Sequence, residues 1–76
     1  MGPDERRALL ELANTRMPFG KYQGVLLIEL PEAYLVWFSR QGFPPGKLGM
    51  LLESALTVKM NGLEALVRPL TRDGVE

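Results

Sequence analysis

Glu29 and Glu32, three residues apart, are spaced so that both carboxylates could share one face of a helix, the arrangement that acid–base or hard-metal chemistry needs. Pro31 between them marks a helix start, where the positive end of the helix dipole favours acidic side chains. That accounts for the pair without a reaction. The sequence holds no histidine and no cysteine, so it has no imidazole base, no thiolate nucleophile and no zinc site of the ordinary kind. Ser39, set between Phe38 and Arg40, has no histidine to activate it, and a hydrolase triad is excluded. The stretch Gly20-Lys21-Tyr22-Gln23-Gly24 offers glycines and a lysine as a phosphate loop does. It lacks the glycine-to-lysine spacing of a P-loop and lies between extended arms instead of opening a helix. A turn with one or two residues at positive φ explains it better. The sequence therefore reads as non-enzymatic, with no metal and no cofactor.

Binding chemistry is better represented. Arg16, Lys21, Arg40 and Lys47 flank the turn and a second rigid loop, Phe43-Pro44-Pro45-Gly46. Together with Tyr22, Gln23 and Phe43 they form the candidate partner-binding set. Cations interleaved with aromatic rings are what single-stranded nucleic acid requires, charge for the backbone and flat faces for the bases. Against that stand nine basic and nine acidic residues and a formal net charge of zero, which gives no long-range attraction for a polyanion. The set is read as a surface for a macromolecular partner, a protein in preference to a nucleic acid. Tyr34, Trp37 and Phe38 could also stack on bases or anchor a partner, but with Leu30 they fall at helical spacing and read as core. Tyr22, at a turn tip beside a lysine, is harder to bury.

The elements that must position these residues belong to one small domain spanning residues 1–76, with an ordered core over 3–70 and a polar tail over 71–76. A chain of 76 residues buries only about 60% of the surface its unfolded form exposes, so its 46% apolar content must supply stability by packing. The expected architecture is mainly α with a small β component (α+β): three to four helices and a short β-hairpin between the first and second. Residues 3–13 form the first helix, opened by Pro3 and acidic Asp4 and Glu5. Met17–Phe19 and Val25–Ile28 are the hairpin arms, which need helices to cover them. The second helix starts near Pro31 and ends at Gln41-Gly42. Lys47–Asn61 is the longest helix, with Leu48, Leu51, Leu52, Ala55 and Leu56 on one broad stripe. That breadth predicts two neighbours, or one neighbour and a homodimer partner across 47–60. Gly49 costs this helix about 1 kcal/mol of propensity, which a close helix contact would explain. Leu63–Leu70 is a last short helix weakened by Pro69. Charges interrupt the first residues where a signal peptide needs an apolar core, and no apolar run approaches the ~20 residues of a membrane span. The expected location is the cytoplasm, away from membranes.

Four segments, MPFGKYQG, LIELPEAYLVWF, GFPPGKLG and KMNGLEALVRPL, occur in that order over about residues 15–70. On them the chain resembles a family of short bacterial proteins described as putative quorum-sensing-regulated virulence factors. The resemblance implies a domain of unknown function with no assigned catalytic residues, so it carries no site to this sequence. Segments of the form FGK-x-x-G and LP-x-x-Y-L-x-W are also similar to an appendage of some exonuclease-like and phage-associated proteins. That similarity implies a nucleic-acid context by analogy alone.

Overall fold

The computed structural model describes residues 3–70, with side chains from Arg6 onward; the tail expected over 71–76 lies outside the described residues. Helix α1 (Pro3–Asn14) begins where proline's missing N–H costs nothing. It buries Leu12 and Ala13. Asn14 closes it by donating its side-chain amide to the Leu10 carbonyl at 2.8 Å and to the Leu70 carbonyl at 3.1 Å. The same side chain thus satisfies a terminal carbonyl and ties α1 to the other end of the described chain.

The β-hairpin expected between the first two helices is not formed. Among the described residues there are no strands, and the pairing reduces to one isolated antiparallel bridge between Arg16 and Leu26. Leu27 donates to Thr15 and Met17 donates to Val25, but Gly24 in place of Val25 donates back to Met17, and the ladder goes no further. Two physical reasons stop it. The Met17 arm loses its next partner, because the Val25 N–H goes to the Tyr22 carbonyl within the turn. On the other arm Leu27 and Ile28 are consecutive and both fully buried, whereas successive residues of a strand point to opposite faces. The chain winds there into a 3₁₀ turn, Leu27–Glu29, which directs both side chains inward.

Pro31 then serves as the N-cap of α2 (Glu32–Gln41), and the Gly42 N–H closes that helix on the carbonyls of Phe38 and Ser39. Helix α3 (Lys47–Met60) follows the proline loop and packs on α2, α1 and the 3₁₀ turn. These neighbours account for its breadth, with Gly49, Leu52 and Ala55 buried and Met50 left exposed. Gly49 is explained by a close contact, but with a loop and not with a helix. A Cβ at this position would lie 1.9 Å from the carbonyl oxygen of Pro44. The helix therefore runs directly against the proline loop's backbone.

The last element is shorter than the sequence pattern implies: α4 (Glu64–Val67) gives way to a 3₁₀ turn, Arg68–Leu70, where Pro69 interrupts helical hydrogen bonding. The large side chains that are fully buried are Leu12, Met17, Leu27, Ile28, Leu30, Leu35, Leu52 and Val67. None is aromatic. No helix among the described residues is long and apolar enough to cross a membrane.

Candidate functional site

The site follows from a crowding problem on α2. Residues 33–38 read Ala-Tyr-Leu-Val-Trp-Phe, six apolar residues in succession. A helix turns about 100° per residue, so six in a row cover every direction and cannot all face the core. Leu35 takes the inward position and is fully buried. Trp37, two residues on and about 200° round, is forced outward and is 54% exposed. Reading Leu30, Tyr34, Trp37 and Phe38 as one stripe is therefore corrected: Leu30 lies ahead of the helix, Leu35 is the core residue and Trp37 is on the surface. The overlooked signal was the unbroken run itself.

Around Trp37 the aromatic residues assemble into one face. The Tyr34 ring lies 5.9 Å from the Trp37 ring, nearly parallel to it, and meets the Tyr22 ring edge-on at 4.6 Å. Phe38 lies 5.9 Å from Tyr34, 6.0 Å from Trp37 and 5.4 Å from Phe43. This chain of rings runs from the 20–24 turn to the proline loop, so the two loops named from sequence are joined across α2. Phe19, 45% exposed, completes the face. Trp37 stands as a ridge between two shallow grooves. One, of about 470 Å³, is lined by Phe19, Gly20, Lys21, Tyr34, Trp37 and Phe38. The other, of about 530 Å³, is lined by Glu32, Ala33, Val36, Trp37, Arg40 and Gln41.

The seven residues expected at the site divide by what they touch. Lys21 holds its ammonium 5.5 Å above the Tyr22 ring and lines the first groove. Tyr22 is half-buried against Tyr34, so packing explains much of it. Gln23 is exposed, and its backbone N–H donates to Gly20 within the turn. The turn returns toward the core at Gly24, whose φ of 89° suits a residue without Cβ. Arg16 donates to the Gly24 carbonyl at 2.8 Å, a brace for the same turn. Arg40 lines the second groove beside Trp37. Phe43 is half-buried on Phe38. Lys47 forms an ion pair with Glu11 of α1, which draws its charge toward that helix. Lys21, Tyr22, Arg40 and Phe43 thus border the aromatic face, while Arg16 and Lys47 are engaged in structural contacts.

Glu29 and Glu32 have different neighbours. Glu29 accepts from Arg68 at 3.4 Å, and Glu32 lines the second groove beyond the extended Pro31. Among the described residues no group of three or more acidic, histidine or cysteine side chains could hold a metal ion.

Comparison with known proteins gives a family and near relatives. The family model described as "Putative quorum-sensing-regulated virulence factor" matches residues 5–70. The chain is similar to the uncharacterized protein YpeB of Escherichia coli strain K12, at 56% identity over 69 residues, covering 90% of this chain and 96% of that protein. It is similar to the same degree to the YpeB protein of Escherichia coli O157:H7. No solved structure matches it significantly.

Proposed function

We propose a non-enzymatic binding role for this chain, which belongs to the putative quorum-sensing-regulated virulence factor family: an accessory module of the bacterial cytoplasm that docks a partner protein on its aromatic face. One observation carries the proposal. The chain's single tryptophan is more than half exposed at the centre of a continuous array of rings, next to a second exposed aromatic, Phe19. Exposed Trp with rigid aromatic neighbours is what anchors protein interfaces, because large rings bury much area at little cost in conformational entropy. The rim fits this role: Lys21 and Arg40 flank the ridge, and the turn and the proline loop bound it.

Site-directed photocrosslinking tests the proposal in the native cell. A photoreactive phenylalanine analogue replaces Trp37 in one variant and Met60, also exposed but distant in sequence from the aromatic face, in another. A discrete crosslinked partner at position 37 and none at 60 is the expected pattern. Identical products at both positions, or none at 37, would refute it.

A second reading, single-stranded nucleic acid binding, draws on the same Lys21 and Arg40 beside Trp37. It requires affinity for an oligonucleotide that falls steeply with salt. The commitment of Lys47 to Glu11 and of Arg16 to the turn leaves it fewer cations than the sequence offers. A homodimer through α3 would have to be built on Met50 and Met60, the large apolar residues that this helix leaves exposed.

A further inference from the structure

We infer that the groove between Phe19 and Trp37 receives an acidic segment of its partner, seating an apolar side chain against the rings and placing a neighbouring carboxylate on Lys21. This inference rests on the docking reading above and names the partner's chemistry. Charge complementarity carries it. Lys21 is the sole charged residue lining this groove, and no carboxylate shares the lining. The other lysines and Arg68 have acidic partners, Lys47 with Glu11, Lys59 with Glu64 and Arg68 with Glu29. Among the described residues no carboxylate pairs with Lys21, whose ammonium is placed over the Tyr22 ring at the edge of the aromatic face.

A cation at the edge of an apolar groove favours an incoming carboxylate more than one in open solvent, because the groove excludes part of the water that would screen the pair. Nucleic acid fits this groove less well. A single strand presents a phosphate at every nucleotide and is held by a track of cations. Here one lysine lines the groove, and across the Trp37 ridge Arg40 shares its groove with Glu32. One carboxylate beside one apolar side chain matches one lysine beside aromatic rings. The second groove carries both signs of charge, so selectivity for an acidic segment resides at Lys21.

The test is selection of a random dodecapeptide display library on the full chain, counter-selected on Trp37→Ala. Circular dichroism first establishes that the variant retains the wild-type helix content. The expected result is enrichment of peptides with Asp or Glu within about two positions of a Leu, Phe or Pro. Binding of a representative enriched peptide, followed by Trp37 emission, should weaken about fivefold in Lys21→Glu, the scale of an exposed pair turned into a repulsion. Trp37-dependent peptides with no acidic bias, or affinity unchanged in Lys21→Glu, would overturn the acidic partner while leaving the docking face intact. Absence of any Trp37-dependent peptide would count against both. Quenching of Trp37 by decathymidylate at low salt, with no peptide enriched, would replace the peptide by nucleic acid.

Discussion

The core and the aromatic face of this protein are built from different residues. Every large, fully buried side chain is aliphatic or methionine, whereas Phe19, Tyr22, Tyr34, Trp37, Phe38 and Phe43 are exposed or half-buried, as one surface. In a domain this small, aromatic rings would ordinarily be the largest contributors to burial. Leaving the tryptophan more than half exposed forgoes much of that contribution. Aliphatic side chains form the fully buried core, Tyr22, Tyr34, Phe38 and Phe43 pack against it, and on the docking proposal the exposed rings serve a partner.

If that division holds, substitutions in the two regions should separate stability from binding. The largest loss of stability is expected for Leu35→Ala, which empties a fully buried position under α2. A cost of roughly 2–5 kcal/mol approaches the whole stability of a domain of this size, and urea denaturation would measure it. Gly49→Ala comes next, at about 2–3 kcal/mol, because its Cβ would meet the Pro44 carbonyl oxygen at 1.9 Å and force helix and loop apart. The gain in helix propensity, about 1 kcal/mol, offsets only part of that. A stable Gly49→Ala protein would show that the loop can yield. Trp37→Ala should cost roughly 1–3 kcal/mol, the scale of its two ring contacts with Tyr34 and Phe38, with the thermal transition still cooperative. Smallest is Lys47→Ala, within about 0.5 kcal/mol, since this exposed pair with Glu11 is screened by water and salt. Thermal unfolding at low and high salt would show the difference vanishing as salt rises.

Much of the frame was legible in the sequence because its signals are local. Pro31 at the start of α2, Gly42 at its end and the limits of α3 each follow from one residue's backbone chemistry, and the structure has them there. What local signals could not supply was the outcome of competition. The run Val25–Ile28 has the composition of a strand, yet the need to bury Leu27 and Ile28 together turned it into a 3₁₀ element. Spacing made Trp37 look like core, and only the position taken by Leu35 decided that it was not. Gly49 looked like a helix contact, and its reason lay in the backbone of a loop five residues earlier. For the candidate site, sequence identified Lys21, Tyr22, Arg40 and Phe43, which border the aromatic face, and it placed Trp37 in the core where the structure leaves it more than half exposed. Whether Arg16 and Lys47 bear on a partner or brace the fold depended on contacts with Gly24 and Glu11 that no spacing reveals.

The claim that the aromatic face serves a partner and not the fold meets its most direct test in a paired measurement on Trp37→Ala. Its unfolding free energy is compared with wild type, and its capture of the partner crosslinked at position 37 is quantified beside it. The account predicts a folded protein, within roughly 3 kcal/mol of wild type, whose partner is lost, a hot-spot effect of at least about 2 kcal/mol in binding. A variant that retains the partner at wild-type affinity, or that fails to fold, would contradict it.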